Sequence, residues 1–61
     1  MNEYRDKVMA YRVKCGITQE EFAKRCGISR QTVVAIENRE HYSVNLVTRH
    51  KLEKVINDEE E

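Results

Sequence analysis

The chain has 61 residues, no Pro, no Trp and only two Gly, so it allows one domain with a thin core, favours helices and leaves no room for a substrate-sized pocket. Its net charge is +0, but four of its eleven acidic residues close the chain, so residues 1–57 hold eleven basic and seven acidic residues, a net of +4. No apolar run reaches membrane-spanning length and the first residues do not form a signal peptide, so we expect a cytoplasmic protein with no membrane partner.

The first predicted helix runs from about Asn2 or Glu3 to Cys15. Asn2 is a candidate N-cap. Gly16 follows the helix, at the position where a left-handed residue most easily ends one. Four apolar residues recur at helical spacing and predict a buried stripe: Tyr4, Val8, Tyr11 and Cys15.

Cys15 and Cys26 are the only cysteines, and together with His41 and His50 they lack the spacing of a metal site. We therefore expect two free thiols, buried or half-buried, with no metal and no cofactor. The chain also lacks paired carboxylates in a cleft, a Ser-His-Asp set and a Gly-rich phosphate loop. It is not expected to be an enzyme.

The second predicted helix follows Thr18, whose hydroxyl can cap it. Glu21 lies three residues later, so Thr-Gln-Glu-Glu has the pattern of a capping box. Gly27 follows the helix and predicts a tight turn. Three apolar residues give the helix its buried face: Phe22, Ala23 and Cys26.

The third predicted helix follows Ser29, a second candidate N-cap, and runs to Asn38. Val33 and Ile36 lie three residues apart and form its inward face. The polar pair Arg30-Gln31 occupies its first turn. Two short helices joined by a Gly turn, with a polar start to the second, form the pattern of a helix-turn-helix.

The same stretch resembles the Cro/phage-repressor (Xre-type) helix-turn-helix family. The resemblance covers about residues 8–38 and fades after Asn38, where the family usually has Gly and this chain has Arg39. The matched positions, in register, are Arg12, Gly16-Ile17, Thr18-Gln19, Ala23, Gly27, Ile28-Ser29 and Ile36-Glu37-Asn38.

This resemblance implies an all-α, four-helix compact domain of the lambda-repressor-like DNA-binding type. It also implies an ion pair between Arg12 and Glu37 that ties the first helix to the third. In such a fold the third helix enters the major groove with its first residues near base edges. The expected base-reading residues are Arg30, Gln31, Thr32, Val34 and Ala35.

Arg can pair with guanine, Gln with adenine, and a small apolar side chain with the methyl group of thymine. Gln19 begins the second helix, where backbone and side-chain amides can bind a phosphate. Asn38 and Arg39 end the third helix and are also expected to contact phosphates. The alternative to base reading is that Arg30 and Gln31 belong to an ordinary solvated helix face.

The fourth predicted helix runs from about Val44 to Ile56 after Ser43, a candidate N-cap. Tyr42 and Val47 have the spacing of a hydrophobic staple. Leu46 falls off the main stripe, and the sequence predicts a dimer contact near this helix start. Residues 1–57 form the predicted domain, and residues 58–61 a disordered acidic tail. The apolar side of the helix is Val44, Val47, Leu52, Val55 and Ile56.

These observations predict a small transcriptional regulator that binds operator DNA sequence-specifically, a repressor of phage or bacterial type. We expect a homodimer on two-fold symmetric double-stranded DNA, with no small-molecule effector. The alternative is an antitoxin-like or antirepressor-like protein-interaction module with the same fold. The near-zero net charge and the acidic tail favour that alternative slightly, whereas Arg30-Gln31 in reading register favours DNA.

Overall fold

The computed structural model describes residues 4–39 and 42–58. These residues form four α-helices in chain order: α1 (Arg5–Cys15), α2 (Gln19–Cys26), α3 (Arg30–Asn38) and α4 (Leu46–Asp58). Neither range contains a strand, so the prediction of an all-α, four-helix domain is confirmed. No helix within these ranges has the length and apolar character needed to cross a bilayer.

Two glycines end the first two helices, as the sequence predicts. Gly16 and Gly27 follow α1 and α2 with φ angles of 65° and 73°. A residue with a Cβ atom rarely adopts this left-handed conformation, so Gly terminates each helix with little strain. α1 begins at Arg5, two to three residues later than predicted, and Tyr4 before it makes no side-chain cap. The candidate cap Asn2 lies outside the described residues.

The predicted caps of α2 and α3 are confirmed. Thr18 Oγ1 accepts the backbone N–H of Glu21 at 3.1 Å, and Ser29 Oγ accepts that of Thr32 at 3.2 Å. Each cap satisfies one of the N–H groups that a helix start leaves without an intrahelical acceptor. The carboxylate of Glu21, which a full capping box would turn back towards Thr18, lies 3.5 Å from Arg25 Nε.

A single core joins all four helices. The rings of Tyr11 and Phe22 meet at its centre with centroids 5.4 Å apart and a tilt of 59°, an arrangement that aromatic pairs favour. The predicted stripes of α1, α2 and α3 all face this core, with Cys15 at its half-buried edge. The buried apolar residues are Tyr4, Val8, Tyr11, Phe22, Ala23, Cys26, Val33, Ile36 and Leu52.

The prediction for the start of α4 is wrong. Asn45, not Ser43, caps this helix, since Asn45 Oδ1 accepts the N–H of Thr48 at 2.8 Å. The helix therefore begins at Leu46, two residues later than expected. Val47 is 63% exposed and belongs to neither the core nor a staple. Val44 lies half-buried against the core in the segment before the helix.

The C-terminal end of α4 also differs from the sequence-based boundary. Asp58, assigned above to the acidic tail, is the last residue of the helix. Residues 59–61 lie outside the described ranges.

Tyr4, directly before α1, contacts α4 by donating a hydrogen bond from its hydroxyl to the carboxylate of Glu53. Arg49 lies over the same ring, 5.8 Å from its centroid.

Candidate nucleic-acid interface

The turn between α2 and α3 is held by hydrogen bonds to the end of α2. Gly27 and Ile28 both donate their N–H groups to the carbonyl of Ala23, at 2.9 and 3.0 Å. Ile28 is half-buried and packs against the core. These hydrogen bonds satisfy a carbonyl group near the end of α2 and hold the short turn in one conformation. The turn therefore fixes the direction of α3 relative to α2.

Lys51 of α4 contacts the same turn from another side. Its Nζ donates to the carbonyl of Gly27 at 3.2 Å. The sequence marks Lys51 only as an interruption of the apolar side of the fourth helix. That interruption is the one signal that could have indicated its contact with the turn.

α3 presents two different faces. Val33 and Ile36 are fully buried, so they fix the rotation of the helix about its axis. Gln31, Ala35 and Asn38 follow one another at spacings of four and three residues and so share the opposite face. Gln31 and Asn38 are exposed, as is Arg30 in the first turn.

Of the other predicted base-reading residues, Ala35 lies on this face, and Thr32 and Val34 lie beside it. Thr32, Val34 and Ala35 are all half-buried. The hydroxyl of Thr32 is 2.9 Å from that of Ser29, so it takes part in the cap of α3. Its remaining hydrogen-bonding capacity is therefore smaller than that of a free threonine.

Glu37 connects three helices near the C-terminal end of α3. Its Oε2 accepts from Arg12 Nε at 3.0 Å, the ion pair that the resemblance implies. Its Oε1 accepts from Gln19 Nε2 at 2.9 Å. Glu37 is 7% exposed, so this carboxylate has both oxygens bonded in a nearly water-free position. Such saturation is what an ionised buried carboxylate requires.

The sequence predicts only a phosphate contact for Gln19. The structure places it half-buried at the start of α2, with its amide on Glu37. This contact brings the N-terminal end of α2 beside the C-terminal end of α3. The predicted phosphate-binding residues Gln19 and Asn38 therefore belong to neighbouring helix ends, whereas Arg30 and Gln31 lie at the other end of α3.

Arg39 follows α3 in extended conformation, with φ −94° and ψ 131°. Its guanidinium lies over the ring of Tyr42, 5.8 Å from the centroid. A cation above an aromatic face is attracted by the negative potential of the ring. Arg39 is nevertheless exposed, so its charge remains accessible to an anion.

Arg25 is committed to contacts within the protein. Its Nη1 lies 3.3 Å from the hydroxyl of Tyr11, and its Nε pairs with Glu21. The hydrogen bond to Tyr11 is the main cause that raises the pKa of Arg25 above its ordinary value, and Glu21 adds to it. Both contacts favour the charged form of the guanidinium.

The described part of the chain offers no metal cluster, and two surface depressions lie away from the predicted site residues. Within residues 4–39 and 42–58, no group of three or more His, Cys, Asp or Glu side chains could hold a metal ion. Two surface depressions lie along α4, and none of the predicted site residues lines them. Their linings are His50, Lys51, Glu53, Lys54 and Asn57 in one, and Tyr4, Lys7, Glu53, Ile56 and Asn57 in the other.

Comparison with known proteins identifies relatives over most of the chain. An uncharacterized HTH-type transcriptional regulator of Methanothermobacter thermautotrophicus is 36% identical over 90% of this chain and 78% of its own length. One of Archaeoglobus fulgidus is 38% identical over 87% and 74%. A third, of Methanocaldococcus jannaschii, is 40% identical over 82% and 74%. No solved structure matches the chain significantly.

A family model described as helix-turn-helix matches residues 8–57. The match includes the two capped helices, the Gly27 turn and most of α4. It confirms the resemblance noted from the sequence and extends it beyond Asn38, where the sequence resemblance fades. It also confirms that the chain is not an enzyme, because this is a non-enzymatic family. The chain belongs to the helix-turn-helix family.

Proposed function

We propose that this protein binds operator DNA sequence-specifically and regulates transcription as a repressor. The observation that carries the proposal is the first turn of α3. There Arg30 and Gln31 are exposed, while Val33 and Ile36 of the same helix are fully buried. A helix held in this way by its inner face offers its N-terminal side chains to the major groove. The names of the relatives, which call them transcriptional regulators, support the same function.

Base recognition follows from the chemistry of the exposed side chains. Arg30 donates two hydrogen bonds to O6 and N7 of a guanine, and Gln31 pairs with N6 and N7 of an adenine. Val34 and Ala35 contact the methyl group of a thymine from the half-buried edge of the helix. Thr32, whose hydroxyl also serves the cap of α3, contributes one hydrogen bond to a base or phosphate.

Phosphate contacts come from the C-terminal end of α3 and from the start of α2 beside it. The start of α2 carries N–H groups without intrahelical acceptors, which together with Gln19 form an anion site. Asn38 and Arg39 bind the backbone next to this site, at the C-terminal end of α3. These contacts set the position of the protein on the duplex and are insensitive to base sequence.

The active form is a homodimer on a two-fold symmetric site. Leu46 and Val47, in the first turn of α4, are 66% and 63% exposed. Two adjacent exposed apolar side chains favour a contact with a second copy, and a symmetric contact uses the same patch on both. The two reading helices then meet half-sites separated by about one helical turn, roughly 10 base pairs. A regulator that binds its operator works in the cytoplasm together with the DNA.

A protein-interaction module of antitoxin or antirepressor type is the second candidate function. It is favoured by Val13 of α1, which is 81% exposed, and by Met9 one turn earlier, which is 42% exposed. These side chains form an apolar strip on a helix that DNA reading does not use. A protein partner would cover them without requiring Arg30 or Gln31.

The decisive experiment is selection of bound duplexes from a random DNA pool at low salt, with the Arg30→Ala/Gln31→Ala protein as matched control. The parent should enrich an inverted repeat, and its affinity for that repeat should fall steeply with added salt. The control should remain folded, by circular dichroism, and enrich no repeat. A folded parent that retains no duplex even at low salt would contradict DNA binding and favour the protein-interaction module.

A further inference from the structure

Glu37 holds the side-chain amide of Gln19 in one orientation. An ionised carboxylate can only accept hydrogen bonds, so the amide must turn its nitrogen, not its oxygen, towards Glu37. Gln19 Nε2 donates one of its two hydrogens to Glu37 Oε1, and the two atoms are 2.9 Å apart. The nitrogen keeps its second hydrogen, at the end of α2 where the helix N–H groups lie without intrahelical acceptors.

Arg12 makes this arrangement compatible with a nearby anion. A lone carboxylate at this place would repel a phosphate. Arg12 Nε donates to the other carboxylate oxygen at 3.0 Å, so the buried pair has no net charge. This neutral pair can therefore hold Gln19 without repelling a phosphate. Without the contact the Gln19 side chain would sample several rotamers, and fixing it costs conformational entropy.

We propose that Glu37 is a positioning residue for DNA binding. It holds Gln19 so that the second Nε2–H and the first backbone N–H groups of α2 converge on one phosphate. This inference rests on the proposed DNA-binding function and deepens it. It assigns to an inward-facing residue of α3 a part in backbone contact, in addition to its part in joining α1 to α3.

The test compares two substitutions at Gln19 that leave Glu37 and Arg12 in place. Gln19→Ala removes the amide, and Gln19→Asn keeps an amide that is too short to reach Glu37 from the same backbone. Both should weaken the selected operator and random duplex by the same factor, about threefold to tenfold, the worth of one hydrogen bond. Parent-like affinity of Gln19→Asn would overturn the proposal, since the amide would then not need Glu37.

A double-mutant cycle separates positioning from simple support of the fold. Glu37→Gln can accept from Arg12 with its oxygen, but it then turns an NH2 group towards Gln19 and can hold the Gln19 amide only in the reversed orientation. It should weaken duplex binding in the parent but cause no further loss in the Gln19→Ala protein. Equal losses in the two backgrounds would show a purely structural role. Arg12→Lys is the control, because it disturbs the same carboxylate and lowers the urea midpoint but should leave the contribution of Gln19 intact.

The outcomes also distinguish this inference from the function on which it rests. A folded parent that binds no duplex would overturn DNA binding itself, and the positioning role with it. A parent that binds its operator, with independent effects of Gln19→Ala and Glu37→Gln, would overturn only the positioning role. If Glu37→Gln does not fold, the Gln19→Asn comparison decides alone, because that substitution lies at a half-buried helix start.

Discussion

At the scale of single residues, Arg30 and Gln31 should differ from Arg39 in how their loss affects binding. Arg30→Ala or Gln31→Ala should cost about 1–3 kcal/mol on the selected operator and relax discrimination at one base pair in each half-site. Arg39→Ala should weaken specific and random duplexes by similar factors and make the salt slope shallower by about one. Titrations of both duplexes at several salt concentrations measure these effects.

The contrast between these substitutions is the informative result. All three residues are exposed, so their replacement should leave the urea midpoint nearly unchanged. If folded Arg30→Ala and Gln31→Ala proteins bound the operator as tightly as the parent, the first turn of α3 would not be the reading surface. The protein-interaction function would then be favoured.

The Cys26 thiol should make folding sensitive to alkaline pH. Burial raises the pKa of Cys26 to about 11, from 9.0 for an unperturbed thiol. Well below pH 9 the thiol is neutral in both the folded and unfolded states, so its contribution to stability is complete. As the pH rises from about 9 towards 11, the unfolded chain loses this proton first, and the free energy of unfolding falls.

Urea unfolding at about pH 8 and about pH 10.5, in reducing buffer, tests this expectation. The parent should lose more stability between the two values than Cys26→Ala, which lacks the titrating group. The loss in the variant measures the contribution of all other groups, including Tyr and Lys. Equal losses in the two proteins would mean that the buried thiol does not control this pH range.

At the scale of elements, substitutions can distinguish the two candidate caps of α4, Asn45 and Ser43. Asn45→Ala removes the acceptor of the Thr48 N–H and should lower the free energy of unfolding by about 1 kcal/mol. Ser43→Ala, two residues earlier and also exposed, should change it by less than about 0.5 kcal/mol. Chemical denaturation of both variants gives the comparison. A larger loss of stability for Ser43→Ala than for Asn45→Ala would indicate that Ser43 caps the helix, as the sequence predicts.

The sequence predicts the end of α1 and both ends of α2 and α3 well because their signals agree with one another. Thr18 and Ser29 each precede an apolar pattern of helical spacing, and Gly16 and Gly27 end the helices before them. At α4 the local signals compete, since Ser43 and Asn45 are both good caps. The choice depends on which apolar residues fit against the preformed core, and the structure half-buries Val44 there but exposes Val47.

Long-range side-chain contacts are predictable only in part. The resemblance implies the ion pair of Arg12 with Glu37, but nothing in the sequence adds Gln19 as its third member. These contacts join residues 25 and 18 positions apart. Their geometry depends on how α1, α2 and α3 cross, which spacing along the chain does not encode. The exposed surface of α3 was predictable because a helix has a fixed angular period.

At the scale of the whole molecule, the proposed dimer can be tested at the first turn of α4. Leu46→Glu places a charge on the proposed contact and should shift the protein from dimer to monomer, because burying an unpaired carboxylate is unfavourable. Val13→Glu is the matched control: it puts the same charge on an exposed apolar position of α1. Sedimentation velocity at several protein concentrations distinguishes the two forms.

The expected result is monomeric Leu46→Glu and a Val13→Glu protein that assembles like the parent. Loss of the dimer should also reduce operator affinity more than affinity for a single half-site, since the second half-site adds binding only when the subunits are linked. Unchanged assembly of Leu46→Glu would eliminate the start of α4 as the contact. Disruption by Val13→Glu alone would move the contact to α1.

Among the side chains that the structure describes, α4 contributes one buried residue, Leu52, and this has a consequence for how the molecule opens. Of the nine buried apolar residues in the described ranges, seven belong to α1, α2 and α3, and Tyr4 directly precedes α1. α4 is otherwise held by the half-buried Val55 and Ile56 and by two contacts of exposed side chains, Lys51 on Gly27 and Glu53 on Tyr4. A segment with so little buried surface detaches by local unfolding at a lower free energy than the rest. In native-state hydrogen exchange, the amides of α4 should therefore exchange before those of α1 and α3.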